Sequence, residues 1–369
     1  MPLMRIALSY DYLNQYGGGE RVLGNFLEIF PKADLFTLFF DRNKTFGRIP
    51  KERIKKTSFL DKKIVIDNHR LFIPLMPKAA ESLNLGNNYD LIISIGAGYS
   101  KGITYKNSYH LSYCFTPLRY AWESDNFLKG KFGSNYGLLK PILSPFVSYL
   151  KKWDMEAGQK PDEIITLSKY ISGKIREYYQ RESEIIFPPV DLNVFYPENL
   201  YKNRQYFLAA GRLMHYKKFD IVIQAFNELK LPLKIVGRGP ELKNLIKLNT
   251  SKNTHFITAL MTDNEMRAMY GNAKAFIFPQ VEDFGLVAAE AIACGTPVIA
   301  YNIGGSSDII EEGVNGFFIK EQTPEAIIEA IGRLPEARFD SHFLSKTAEK
   351  FSKDNFKSEI LKKINGFAL

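Results

Sequence analysis

Short apolar runs rich in β-branched and aromatic residues alternate with amphipathic stretches along the whole chain. In the first part the strand-like runs read RIALSY, DLFTLFF, DLIISI, HLSYCF and EIITLS. Helical patterns separate most of them, as over 20–30 and 169–179. In the second part the runs read YFLAAG, PLKIVG, HFI, KAFIFP, PVIAY and GFFI, with helices expected over 219–229, 264–270, 286–294 and 324–333. Strand–helix alternation builds parallel sheets covered by helices on both faces. The rhythm breaks near FPPVDLNVFYPENLYKNRQ, Phe187 to Gln205, whose proline, asparagine and charge suit a linker. The pattern predicts an α/β protein of two doubly wound, Rossmann-like domains. Such sheets bind ligands at the carboxyl ends of their strands. Two of them facing each other leave a cleft that can shield a two-substrate reaction from water.

Composition adds a few constraints. The 369 residues suffice for two domains, and 45% hydrophobic with 24% charged is an ordinary globular balance. The longest apolar runs fall well short of the ~20 residues of a membrane span. The first residues, MPLMRIALSY, read as a strand rather than a signal peptide. Cys114 and Cys294 sit in apolar runs and read as buried thiols, which suits a reducing cytoplasm.

The net charge of +9 is unevenly spread: residues 1–160 hold 23 Lys and Arg against 14 Asp and Glu, whereas 161–369 hold 26 of each. A basic surface attracts nucleic acid, an acidic substrate or an anionic membrane. No nucleic-acid module is recognisable, so nucleic acid is not an expected partner. The densest cluster, KERIKKTSFLDKK at Lys51–Lys63, precedes the apolar RLFIPLMP at Arg70–Pro77. Charge followed by apolar residues suits a peripheral membrane contact; a solvated loop beside a buried segment is the other reading.

Four stretches can carry chemistry. YLNQYGGGERVLGNFLE follows the first strand, and its glycines, Gly18 and Gly19 among them, let backbone approach an anion at a helix start. A flexible turn would use them too. In AAGRLMHYKKFD, Arg212 and Lys217 sit where a strand gives way to a helix, and a guanidinium with an ammonium suits a diphosphate. IVGRGPE lacks the full G-x-G-x-x-G pattern, which argues against a nicotinamide dehydrogenase. The fourth is EDFGLVAAEAIACGTPVIA. A helix start near Phe284, Gly285 and Leu286 favours an anion. Glu282 precedes it, and Glu290 lies about 7 Å along the helix. Glu290 falls inside an apolar helix, where it needs an ion pair or a ligand hydroxyl. One carboxylate on each side of a diphosphate describes a nucleotide sugar, because carboxylates accept from hydroxyls and repel phosphate.

Glu282-x7-Glu290, GRLxxxKK at Arg212, the early GGGE and GGSSDII at Gly304 together resemble a family 4 glycosyltransferase of the GT-B type. HLSYCFTPLRYAWE, PPVDLNVF and LMHYKKFD resemble a bacterial subgroup that includes mannosyltransferases of O-antigen and exopolysaccharide assembly. The resemblance implies residues 1–190 as acceptor-binding domain, 191–345 as nucleotide-sugar domain, and 346–369 as a last helix crossing back to the first. It implies retaining transfer of a hexose, with GDP-mannose as first choice of donor and a UDP-sugar as alternative. Arg212 and Lys217 would hold the diphosphate, Glu282 the transferred sugar, and Glu290 the ribose. Phe284, Gly285 and Leu286 would offer backbone N–H groups, with Gly18 and Gly19 approaching the diphosphate. No metal and no cofactor is expected, since Asp-x-Asp is absent and the Arg/Lys pair can take a metal's part. A glycan or polyprenyl-diphosphate-linked glycan would be the acceptor, at the cytoplasmic face of the inner membrane. His110, Arg119 and Tyr120 are candidates for the acceptor side; a packed strand histidine is the other reading of His110, and a structural role that of Arg119 and Tyr120. The family pattern has histidine where this chain has Phe115, so no general base is assigned. An inactive nucleotide-sugar-binding protein is the remaining alternative.

Overall fold

The computed structural model describes residues 4–125, 136–198, 204–337 and 339–366, so 199–203 of the expected linker lie outside the described residues. The chain divides into two compact units, Met1–Ile186 and Phe187–Leu369, each with its own sheet.

In the first unit the strands are β1 (Ile6–Tyr10), β2 (Asp34–Thr37), β3 (Ile54–Thr57), β4 (Leu91–Gly96), β5 (Tyr109–Cys114), β6 (Glu163–Thr166) and β7 (Glu184–Ile185). They form a parallel sheet ordered β3-β2-β1-β4-β5-β6-β7. The central β4 is buried along its whole length, as a parallel strand covered on both faces must be. The basic cluster at Lys51–Lys63 forms the edge of this sheet. Its Lys55 and Lys56 are exposed on β3, a charged edge that discourages pairing with another chain.

The second unit holds β8 (Tyr206–Ala210), β9 (Leu233–Val236), β10 (Thr254–Ile257), β11 (Ala273–Phe278), β12 (Val298–Tyr301) and β13 (Gly316–Ile319). These too are parallel, ordered β10-β9-β8-β11-β12-β13. The helix Phe219–Leu229 buries Phe219, Val222, Ile223 and Phe226, one face at helical spacing. They join Phe207 of β8, Ile235 of β9 and Ile277 of β11 in one core, with Ile327 and Ile331 of the helix Pro324–Gly332. Burying each such side chain contributes roughly 1.5–3 kcal/mol. The last helix, Lys353–Asn365, falls in the second unit and buries Phe356, Ile360 and Ile364.

The sheet order fixes where sites can form. In the first sheet the order reverses between β1 and β4, and in the second between β8 and β11. Loops leaving the carboxyl ends there diverge and open a crevice.

Candidate functional site

The loops after β8 and β11 leave neighbouring strands at the same end of the second sheet. Arg212 follows β8 after Gly211, and Lys217 ends a single 3-10 turn, His215–Lys217. Glu282 lies in the loop after β11. Lys217 Nζ approaches Glu282 Oε1 to 2.6 Å, with the two side chains 13% and 22% exposed. Oε1 is buried and takes no aligned hydrogen bond, so the contact is a charge pair. Two partly desolvated charges held this way need each other or a ligand.

Glycines shape both loops by letting backbones touch. A Cβ on Gly237 would lie 1.9 Å from Gly211 O, and one on Gly239 2.1 Å from Leu213 O. Leu213 N donates to Arg238 O at 2.8 Å. IVGRGPE thus packs against the loop that carries Arg212. Gly304 and Gly305 do the same for the other loop. Gly305 N donates to Glu282 O at 2.8 Å, and a Cβ there would lie 2.2 Å from Phe284 Cα. The diglycine of GGSSDII belongs to the resemblance, but its contact with the Glu282 loop was not legible from its spacing.

Gly285, at φ 104°, caps the helix Leu286–Ala293, which has no side-chain cap on its N-terminal N–H groups. The Phe284 ring is buried against Phe187 and Phe351, at centroid distances of 5.9 and 5.3 Å. Its backbone is therefore what Phe284 can offer a ligand. Glu290 is 3% exposed, and its Oε2 accepts from Tyr270 Oη at 3.2 Å. Tyr270 is itself fully buried and carries no sequence motif. Burial, and then Glu290, push the neighbouring Cys294 thiol well above its ordinary range.

In the first unit, Gly18 and Gly19 open the helix Gly18–Ile29. Glu20 turns back over that start: Oε2 accepts from Gly17 N at 2.7 Å and Oε1 from Tyr10 Oη at 3.0 Å. Burial holds its carboxyl above the usual range. The chain thus places its own carboxylate at a helix start expected to take an anion. Phe115 packs on this loop, since a Cβ on Gly19 would lie 3.0 Å from its Cε2 and 2.8 Å from Tyr10 Oη.

The expectation that His110 faces an acceptor is corrected. It lies near the amino end of β5, fully buried, with Nε2 2.8 Å from Ser94 Oγ and Nδ1 3.1 Å from Tyr105 Oη. Burial, followed by Lys160 and Arg181, pushes it down to about 3. It is a neutral core histidine. Arg119, exposed, and Tyr120, half-buried, begin the short helix Arg119–Trp122 after β5. Asp154 anchors this turn. Its Oδ2 accepts from Leu118 N at 3.2 Å, Trp122 Nε1 at 2.8 Å and Tyr179 Oη at 2.8 Å, while Oδ1 pairs with Lys101 Nζ at 2.6 Å. Sequence reasoning missed Lys101 and Asp154, because no local pattern marks them.

Residues 193–357, which contain Arg212, Lys217, Glu282 and Glu290, match the family described as Glycosyl transferases group 1. This match lies within the second unit. An uncharacterized glycosyltransferase of Methanocaldococcus jannaschii is 28% identical over 200 residues, covering 53% of this chain and 56% of its own length. The chain spans about half the length of that curated relative. A sucrose-phosphate synthase from Thermosynechococcus elongatus superposes with a TM-score of 0.72 at 17% identity, over 98% of this chain and 99% of its own. Anabaena Alr3699/HepE in complex with UDP and glucose gives 0.70 at 16%, over 98% and 100%. These neighbours share the fold: two Rossmann-like parallel-sheet domains of the GT-B class. In the second unit the Lys217–Glu282 pair sits at the loops that leave the switch point of the sheet.

Proposed function

We propose that the protein is a retaining glycosyltransferase that moves a hexose from a nucleotide sugar to a glycan acceptor. The observation that carries this reading is the Lys217–Glu282 pair at the switch point of the second sheet, within the residues that match the glycosyltransferase family. With Arg212 on the same loop, Lys217 offers positive charge to a diphosphate and stabilises charge developing on the leaving group. Glu282 accepts from hydroxyls of the transferred sugar, the start of the helix Leu286–Ala293 receives phosphate oxygens, and Glu290 accepts from the ribose. The leaving phosphate takes the acceptor proton, so the scheme assigns no protein base, metal or cofactor.

GDP-mannose is the proposed donor. The UDP and glucose bound to Alr3699/HepE support the UDP-sugar alternative. The proposed acceptor is a polyprenyl-diphosphate-linked or other anionic glycan at an anionic membrane on the cytoplasmic side. Phe59, Ile64, Leu71 and Leu75 are exposed within and just beyond the lysine-rich stretch, which supports a peripheral contact. No helix among the described residues is long and apolar enough to cross a membrane. Phe115 against Gly19 favours one second reading, a protein that binds nucleotide sugar without turnover.

Thermal-shift screening against GDP-, UDP-, dTDP- and ADP-sugars identifies the donor, because a ligand of the native state raises Tm. Transfer with that donor, and NMR of the product anomer, then separate retaining transfer from binding alone. An inverted anomer would refute the retaining assignment, and binding without hydrolysis or transfer would leave the second reading.

A further inference from the structure

At the carboxyl edge of the first sheet three segments bring hydrogen-bond donors together. Tyr12 follows β1, Arg70 and His69 lie in the turn His69–Leu71, and Tyr120 follows β5. Arg70 and the Tyr12 hydroxyl both hydrogen-bond Tyr120 Oη. The His69 ring lies against Tyr12, centroids 5.3 Å apart. Its tautomer follows from its neighbours. Asn14 Nδ2 reaches the Ile66 carbonyl at 3.2 Å and His69 Nδ1 at 3.0 Å. A carbonyl only accepts, so the amide nitrogen donates to both and Nδ1 is an acceptor. Burial, with Arg70 and Lys44, holds the imidazole below its ordinary range. The neutral ring therefore carries its proton on Nε2, a second donor beside the guanidinium.

Tyr99 supplies an independent observation. It is 1% exposed, its hydroxyl has no hydrogen-bond partner, and it belongs to the core cluster against which Tyr12 and Tyr120 pack. A buried hydroxyl left unpaired is costly and calls for an acceptor. Asp11, the nearby carboxylate, already accepts from Ala97 N at 2.7 Å and Ser100 N at 2.6 Å. What remains is rich in donors and positive.

We propose that Arg70, His69, Tyr99 and Tyr120 form an anion subsite for a phosphate ester carried by the acceptor. Donors arriving from separate segments suit a tetrahedral anion, and the guanidinium fork supplies the charge. Assigning the phosphate to the acceptor rests on the glycosyltransferase reading; the anion site itself does not.

The test titrates the full chain with methyl phosphate by calorimetry, and with phosphatidylcholine vesicles with and without phosphatidic acid. Arg70→Gln should weaken methyl phosphate binding roughly tenfold, as loss of a charged hydrogen bond does. Lys32→Gln, an exposed charge elsewhere on this unit, should change it less than about twofold. A loss confined to methyl phosphate assigns a soluble acceptor, and a loss in both assays a lipid-linked one. Equal binding by wild type, Arg70→Gln and Lys32→Gln, or no phosphate binding by wild type, overturns the subsite. Nucleotide-sugar binding, read separately by thermal shift, distinguishes that failure from failure of the glycosyltransferase reading.

Discussion

Lys217 Nζ lies 2.6 Å from Glu282 Oε1, joining the loops after β8 and β11 into one charged unit. The pair is partly buried, so its loss should cost about 1–2 kcal/mol, between exposed and fully buried pairs. The catalytic effect should be larger. Glu282→Ala removes the proposed acceptor of the sugar hydroxyls and should lower kcat/KM by about two to three orders of magnitude. Glu282→Gln, which keeps the shape, should still lose most of the rate. The check is steady-state transfer beside a melting curve of each variant. Wild-type turnover in Glu282→Ala would sink the assigned role.

The Glu282 loop depends on the diglycine that follows β12. A methyl on Gly305 would sit 2.2 Å from Phe284 Cα and 2.4 Å from Phe284 O, both backbone atoms that cannot swing aside. Gly305→Ala must therefore push the loop outward. The expected cost is about 1–3 kcal/mol. Donor affinity should fall as well, since the loop carries Glu282 and leads into the helix start. Gly332→Ala is the control, because a methyl there meets nothing within 4 Å. Thermal melts with and without the donor separate the two effects, and equal behaviour of the two variants would contradict the loop's dependence on Gly305.

The strands were legible where burial on both faces makes them continuous apolar runs. β3 was not, because Lys55 and Lys56 interrupt it at the sheet edge, nor was β7, which has two residues. Glu282 and Lys217 stood out singly, through a carboxylate spacing and a basic stretch. Their contact needed the strand order, which puts β8 beside β11 and sends β9 and β10 to the far side. Periodicity carries no such information. His110 was ambiguous for a related reason: the pattern placed it on a strand, while its depth depended on Ser94 and Tyr105 from neighbouring segments.

Lys101 and Asp154 illustrate the same limit and give a stability prediction. Their side chains are 4% and 0% exposed, and Asp154 gathers three further donors from the turn at 118–122 and from Tyr179. Lys101→Met leaves a buried carboxylate without its cation and should destabilise by about 3–5 kcal/mol. Lys101→Met combined with Asp154→Asn removes both charges and should recover part of that loss. Urea unfolding of the two variants checks this. A double variant no more stable than the single one would show that the charge pair is not what holds the turn.

The pH dependence of the first unit should carry the signature of His110. Its imidazole titrates at about 3 in the folded chain instead of 6.5, because burial opposes the charged form. Above pH 6.5 both folded and unfolded chains hold it neutral, and its contribution is complete. Between 6.5 and 3 the unfolded chain binds the proton and the folded chain does not, so stability falls as pH falls. Below 3 the loss is complete, on the order of 5 kcal/mol. His110→Gln removes this titration while leaving every carboxylate in place. From pH 7 to pH 4 the stability difference between wild type and variant should therefore shift by about 3 kcal/mol toward the variant. Both tryptophans, Trp122 and Trp153, lie in the unit that holds His110, so their fluorescence in urea follows the relevant unfolding. Parallel pH profiles for the two proteins would mean that His110 is protonated in the folded core.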